Sequence, residues 1–177
     1  AAIQGISGYV DSTASFYDSF SGMTSYESYT GMATGSSYDI VDSASAIVGA
    51  TDAILNTGGV ATVTVSGVAD AAQGADIDAF VKDVTYNVVD DANDIAAELS
   101  GSNDQLDEAV SVTVTGGTVD VADAAAIQGI SGYVDSTASF YDSFSGMTSY
   151  ESYTGMATGS SYDIVDSASA IVGATDA

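Results

Sequence analysis

Carboxylates are the only side chains of this sequence that could bind a metal ion or transfer a proton near neutral pH. The 177 residues include 25 Asp and Glu but a single basic residue, Lys82, and they contain no His and no Cys. Imidazole catalysis, thiolate nucleophiles and zinc sites are therefore excluded, and the many serine hydroxyls lack a base that could activate them. We expect that the protein is not an enzyme.

Two of the tightest acidic groups are candidate calcium sites, because oxygen is the ligand atom that calcium prefers. The three tightest groups are Asp76 and Asp78; Asp90, Asp91 and Asp94; and Asp104, Asp107 and Glu108. The first two groups are the candidate calcium ligands. Carboxylates so placed can equally cap helices or line solvated faces, so both interpretations stay open. Neither an EF-hand loop nor a glycine–aspartate nonapeptide occurs, and calcium is the one cofactor that the sequence leaves as a candidate.

The charge and apolar content of the chain limit its partners. A net charge of −24 without any arginine excludes nucleic acid, because phosphate neutralisation needs clustered Lys and Arg. Hydrophobic residues make up 46% of the sequence, which predicts a folded chain rather than an acidic disordered tail. No apolar run reaches the roughly 18 to 20 residues that a membrane-spanning helix needs, so we expect no membrane span in this portion.

The sequence contains a long internal repeat. Residues 1–53 recur without a single change as residues 125–177, so the repeating unit is 124 residues long. We therefore divide the chain into one full unit, 1–124, and the start of the next identical unit, 125–177. The second copy shows that the first residues belong inside a helix that starts near Asp123. We interpret the sequence as a window on a longer tandem array, without native termini.

Shorter periods inside the unit predict alternating strands and helices. Segments rich in β-branched and aromatic residues recur at steps of about 25 residues, which is typical of strand-plus-helix repeats. Ala-rich helices follow them, each opened by an Asp or Ser that can cap the first amides, with Asp90 and Asp123 among the expected caps. The predicted strands are Ser37–Val41, Val60–Val65, Val84–Val89, Ala109–Val114 and Tyr162–Val165.

Alternation within these strands predicts an α/β, solenoid-like tandem repeat whose one-sided sheet is backed by Ala-rich helices. The expected buried face consists of Tyr38, Ile40, Val63, Val65, Tyr86, Val88, Val110, Val112 and Val114. The expected polar face includes Asp39, Thr62, Thr64, Asn87, Ser111 and Thr113. A Gly116-Gly117 hairpin, with Val114 opposite Val119, would instead give an antiparallel or mixed α+β repeat domain.

The Tyr- and Ser-rich block at 7–37 does not fit the strand–helix pattern. Apolar residues every three or four positions from Ile3 to Met23 predict one long amphipathic helix, although Ser and Gly favour helices poorly. The aromatic residues could form the core of an irregular segment or contact a neighbouring chain, since aromatics and Met are favoured at interfaces. The candidate interface residues are Phe16, Tyr17, Phe20, Met23, Tyr26 and Tyr29.

One recurring motif resembles a known class of repeats. The pattern aromatic-x-aliphatic-x-Asp-Ser/Asp-Ala-x-x-Ile occurs at Tyr38–Ile47 and at Tyr86–Ile95. It resembles repeats in giant acidic cell-surface proteins, of adhesin, filament or surface-layer type, from cyanobacteria and other marine bacteria. The resemblance implies an extracellular or cell-surface location and an adhesive or filament-forming role, with calcium as a candidate ligand. It supplies no functional residues.

We therefore expect a structural extracellular protein that builds a fibre, stalk or surface layer by end-to-end stacking of its repeats. Its partners would be copies of itself, as a homopolymer or a tandem array. The alternative is a calcium-responsive adhesive module that binds surface glycans through the Thr, Ser and Asp face of the sheet.

Overall fold

The computed structural model describes residues 16–19, 21–22, 38–55, 59–100, 105–134, 139–143, 145 and 161–173. Strands and short helices alternate along these ranges. The strands are β1 (Phe16–Asp18), β2 (Tyr38–Asp42), β3 (Val60–Val65), β4 (Val84–Thr85), β5 (Asn87–Asp90), β6 (Ser111–Val114), β7 (Thr118–Val119), β8 (Tyr133–Val134), β9 (Ser139–Asp142) and β10 (Ser161–Ile164). The helices are α1 (Ala44–Val48), α2 (Asp52–Leu55), α3 (Ala71–Asp78), α4 (Ala92–Leu99), α5 (Val121–Gln128) and α6 (Ala168–Gly173).

All strand pairs of the described chain are parallel. The strands form three short sheets, with the orders β1-β2-β3-β4, β5-β6-β8 and β7-β9-β10. Partner residues on paired strands lie 21 to 24 residues apart, as in Val63 beside Val84 and Val88 beside Val112. The fold is therefore mixed α/β with short parallel sheets, and these described strands form no closed barrel. The predicted strand Val84–Val89 divides at Tyr86 into β4, which ends the first sheet, and β5, which belongs to the second. The one-sided sheet expected from the sequence is therefore not continuous.

The predicted glycine hairpin does not form. Strands β6 and β7 lie in different sheets, so Val114 and Val119 are not paired. The two glycines serve the chain differently: the Gly116 carbonyl accepts a hydrogen bond from the Ala92 amide (2.9 Å), and Gly117 has a φ of +90°. A Cβ on Gly117 would lie 2.8 Å from the Ala92 nitrogen. Glycine is needed here because the chain turns tightly over the start of α4.

The predicted division into buried and polar strand faces is confirmed wherever side chains are described, with one exception. Seven of the predicted members are buried, namely Ile40, Val63, Val65, Tyr86, Val88, Val112 and Val114. Thr62 is exposed, and the other polar-face residues are half-buried. Val110 is the exception, since it is 63% exposed and precedes β6, so its assignment to the buried face was wrong.

The N-cap residues are of the predicted types, Ser and Asp, but at two helices the cap is not the residue that was predicted. Ser43, Asp70, Asp91 and Asp120 are the N-caps of α1, α3, α4 and α5. Asp123 is not a cap: α5 begins earlier because β7 ends at Val119, directly before Asp120. Asp90 is not a cap of α4 either, since that role falls to Asp91. Residues 125–128 lie inside α5, which confirms a helix at the second copy of the opening residues.

The two copies of the repeated sequence share two paired strands and a following short helix in the parts where both copies are described. Strands β1 and β2 pair with Phe16 beside Tyr38, and β9 and β10 pair with Phe140 beside Tyr162, which are the corresponding residues. A short helix follows the second strand in each copy, and its serine hydroxyl accepts a hydrogen bond from the amide three residues later. The repeat in sequence is therefore also a repeat in strand register.

The prediction of one long amphipathic helix from Ile3 to Met23 is wrong at residues 16–18. Phe16–Asp18 forms a strand, and so does its second copy within β9. Aromatic residues favour strands and serine favours helices weakly, which explains this outcome. Among the candidate interface residues, Phe16 and Tyr17 lie on β1. The others, Phe20, Met23, Tyr26 and Tyr29, lie outside the described residues.

Candidate functional site

The contacts between consecutive strand–helix segments form a recurring pattern. Where β2 meets β3, the Thr62 hydroxyl donates a hydrogen bond to Asp39 Oδ1 (2.6 Å). The Ser66 amide then donates to the Asp42 carbonyl (2.6 Å). Both bonds join residues more than 20 positions apart, so they hold neighbouring segments together rather than stabilising one segment locally.

The same pattern occurs where β5 meets β6. The Ser111 hydroxyl donates to Asn87 Oδ1 (2.7 Å), and the Thr115 amide donates to the Asp90 carbonyl (2.8 Å). Asn87 holds the motif position that Asp39 holds in the first pair, directly after the tyrosine. We call a strand of the Tyr-x-aliphatic-x-Asp motif an A strand and the Val-x-Val strand that covers it a B strand. Strands β2 and β5 are A strands, and β3 and β6 are the B strands beside them.

Apolar pairs lie beneath these hydrogen bonds. Ile40 of β2 is beside Val63 of β3, and Val88 of β5 is beside Val112 of β6. Each of these four side chains is at most 1% exposed. Burying side chains of this size contributes roughly 1.5 to 3 kcal/mol each, so the apolar pairs supply more stability than the surface hydrogen bonds.

Tyr86 connects three segments at the point where the first sheet ends. Its ring is 1% exposed, and its hydroxyl donates a hydrogen bond to Asp78 Oδ1 at the end of α3 (3.0 Å). The Glu108 amide donates to the same carboxylate oxygen (3.3 Å). Burial raises the pKa of Tyr86 far above its ordinary value, and the negative charge of Asp78 raises it further. Tyr86 is therefore a neutral, buried hydrogen-bond donor.

Replacing Tyr86 by Phe should remove a specific pH dependence of stability. An unfolded tyrosine ionises at a pH of about 10, whereas folded Tyr86 stays protonated, so the protein should lose stability as the pH rises above about 10. The loss is at most about 1.4 kcal/mol per pH unit, because one proton is involved. Urea unfolding at pH 8 and pH 11 measures the difference between the parent protein and Tyr86→Phe.

At pH 8 the Phe variant should be less stable by about 1.5 kcal/mol, since the bond to a charged acceptor is lost. Between pH 8 and pH 11 it should lose less stability than the parent. An equal loss in both proteins would mean that Tyr86 does not carry this pH dependence.

Three carboxylates at the start of α4 lie close together. Oxygens of Asp90, Asp91 and Asp94 all lie within 4.8 Å of one another. Asp91 caps the helix by accepting the amides of Asn93 and Asp94, and Asp90 accepts the amides of Ala71 and Asp91. Asp94 is exposed, and the charges of Asp91 and Asp90 raise its pKa. The three residues combine helix capping with mutual repulsion.

Asp90 and Asp94 of this cluster line an open acidic groove of about 340 Å³, together with Asp70 and Glu98. Glu98 was missed from the sequence, although its spacing of four residues from Asp94 places both on one face of α4. Asp70 could not be placed from the sequence, because it is the N-cap of a different helix, α3. Asp70 was recognisable only as a cap. The other predicted calcium pair, Asp76 and Asp78, does not join this group: Asp76 is exposed on α3, and Asp78 is bound to Tyr86.

The single basic side chain is used within the fold. Lys82 Nζ donates hydrogen bonds to the carbonyls of Val60 and Ala61, both at 3.2 Å, at the start of β3. Its positive charge thus lies over the first peptide groups of the strand.

Comparison of the chain with protein-family models, with curated proteins and with solved structures gives no match. Within the described ranges, no helix combines the length and the apolar character required to cross a bilayer. The proposals for function therefore depend on the geometry of the segment contacts and of the acidic groove.

Proposed function

We propose that this protein is a structural, non-enzymatic repeat protein whose strand–helix segments stack as the coils of an α/β solenoid. The observation that carries the proposal is the recurrence of one contact pattern between A and B strands, with the same register and the same pair of hydrogen bonds. A contact that recurs along a chain allows the stack to be extended by adding further units. Repeats joined in this way would form a fibre, stalk or surface layer.

The proposed location is extracellular or at the cell surface. The repeat motif resembles those of giant acidic surface proteins, and a chain without cysteine needs no disulfides if packing between coils supplies its stability. The high negative charge would keep such an array soluble and prevent unspecific contacts between neighbouring arrays.

The proposed stacking predicts that the particle grows along one axis as repeat units are added. Parallel strands lie about 4.8 Å apart in the direction of stacking, and steps of 21 to 24 residues give five to six coils in each 124-residue unit. Each added unit should therefore lengthen the particle by about 25 to 28 Å at constant cross-section. Small-angle X-ray scattering of proteins with one, two and four units measures this increment. Particles that grow compactly in all directions, or that expand like unfolded chains, would contradict the proposal.

We propose calcium-dependent adhesion as a second function, favoured by the Asp90, Asp91 and Asp94 cluster. Oxygen atoms this close repel one another when ionised, and a bound calcium ion would replace that repulsion by attraction. At about 0.15 M salt the screening length is roughly 8 Å, longer than the spacing of adjacent strands, so charges on neighbouring coils still interact. The exposed hydroxyls along the sheets, such as Thr62, would then face surface glycans.

A comparison of calcium with magnesium at constant ionic strength tests this second function. Calcium should raise the melting temperature more than magnesium does in the parent protein and in Asp76→Asn, a control outside the cluster. Asp94→Asn should abolish the difference. Equal responses to both ions in all three proteins would show that ionic screening acts alone.

A further inference from the structure

The last A strand of the chain has no B strand beside it among the described residues. Strand β10 overlaps the second copy of β2, and among the described strands it pairs only with β9, at the edge of its sheet. Strand β2 pairs on one side with β1 and on the other with β3. Identical residues thus occur once with a covering segment and once without it.

Side-chain exposure shows what the covering segment does. Ile40 is 0% exposed beside β3, whereas its second copy, Ile164, is 49% exposed. Ile47 on α1 is 0% exposed, whereas its second copy, Ile171 on α6, is 50% exposed. The local sequences are the same, and the internal copy differs by having β3 beside its strand and α3 beside its helix.

A third apolar residue extends this surface. Val48 is partly buried against the core, and its second copy, Val172, is 85% exposed. We call the surface formed by Ile164, Ile171 and Val172 the open surface. An exposed apolar surface next to an unpaired strand edge is the kind of surface that takes up a further strand.

We propose that the open surface is a docking site for a further copy of the segment formed by β3 and α3. This inference rests on the proposed stacking function and names the partner that the stack adds at this edge. The internal copy supplies the geometry: a Val-x-Val strand would lie parallel to β10, with the equivalent of Val63 beside Ile164. The helix of that segment would cover Ile171, as α3 packs on α1.

Polar side chains of β10 and α6 are placed to accept hydrogen bonds from the same partner segment. In the internal copy, Asp39 accepts a bond from the Thr62 hydroxyl, and Ser45 accepts one from Gln73 Nε2 (3.0 Å). The edge presents their second copies, Asp163 and Ser169. A docked segment therefore needs a hydroxyl one residue before its central valine and an amide side chain in the first turn of its helix. The β3–α3 segment has both.

Hydrogen exchange on an extended chain tests the proposal. The full 177-residue chain is compared with the same chain continued after Ala177 by a copy of residues 54–80. The amides of β10 and α6 should exchange at least tenfold more slowly in the extended chain, because pairing and burial protect them. Exchange in β5 and β6 serves as the internal reference and should not change.

Two variants of the extended chain make the result specific. Val63→Asp together with Val65→Asp, introduced only in the appended copy, should abolish the added protection, and so should Ile164→Asp. Unchanged exchange of β10 and α6 in the extended chain would overturn the proposal. Protection that instead depends on the concentration of the unextended chain would assign the open surface to a second whole molecule.

Failure of this inference is distinguishable from failure of the proposed stacking function. The exchange experiment reads one edge of a monomer, whereas the scattering experiment reads the length of multi-unit proteins. A constant length increment per unit without added protection of β10 would reject the docking site and leave the stacking function supported.

Discussion

Val112→Asp should reduce the free energy of unfolding by about 4 kcal/mol, the largest effect that we expect from a single substitution. Val112 is 0% exposed, and it lies on β6 with Val88 on one side and Tyr133 on the other. An aspartate at this position would place an unpaired carboxyl group between two apolar neighbours. A loss of this size would consume much of the 5 to 15 kcal/mol that typically stabilises a domain.

Thr113→Asp is the matched control for this substitution. Thr113 is the next residue on the same strand, but it lies on the opposite face and is half-buried. The same charge there should cost less than about 1 kcal/mol, because water can solvate it. Urea unfolding followed by circular dichroism compares the two variants, and equal losses would contradict the division of β6 into an apolar and a polar face.

Much of the fold could be predicted from alternation within the strands. Strands β3 and β6 each have one apolar and one polar face, so a period of two residues reveals which of their side chains are buried, as for Val63 and Val112. The break at Tyr86 could not be predicted in this way. At the break, Tyr86 donates a hydrogen bond to Asp78, and the Val89 amide donates one to the Ala69 carbonyl. A local pattern of residue types contains no information about such contacts with other elements.

The hairpin prediction failed for a related reason. A Gly-Gly pair between alternating segments favours a two-residue turn when only the local sequence is considered. The structure uses Gly117 because its φ is positive and because a side chain would collide with Ala92, which is distant in sequence. A glycine in the sequence suggests an unusual backbone conformation at this position. The local sequence does not show that Ala92 is the residue that leaves no room for a side chain.

The acidic site was predictable in part. Asp91 and Asp94 come together because residues three positions apart lie close at the first turn of a helix, and Asp90 directly precedes the N-cap Asp91. Asp76 and Asp78 had similar spacing, yet Asp78 faces Tyr86 and takes part in a buried contact instead. Local spacing therefore identified the cluster within one helix start and could not identify the groove wall that Asp70 adds from α3.

Ile47→Ala should reduce the free energy of unfolding by about 3 kcal/mol, the second largest effect that we expect. Ile47 is fully buried in the core, and truncation would leave a cavity next to segments that can only partly collapse. Ile95 is also fully buried and holds the same motif position on α4. Ile95→Ala should therefore show a loss in the same range.

Ile171→Ala provides the most direct test that burial arises from stacking of one segment on the next. Ile171 has the same local sequence as Ile47 but is 50% exposed. Its truncation should change the free energy of unfolding by no more than about 0.5 kcal/mol, against 2 kcal/mol or more for Ile47→Ala. Equal losses at the two positions, measured by urea unfolding, would contradict stacking as the source of stability.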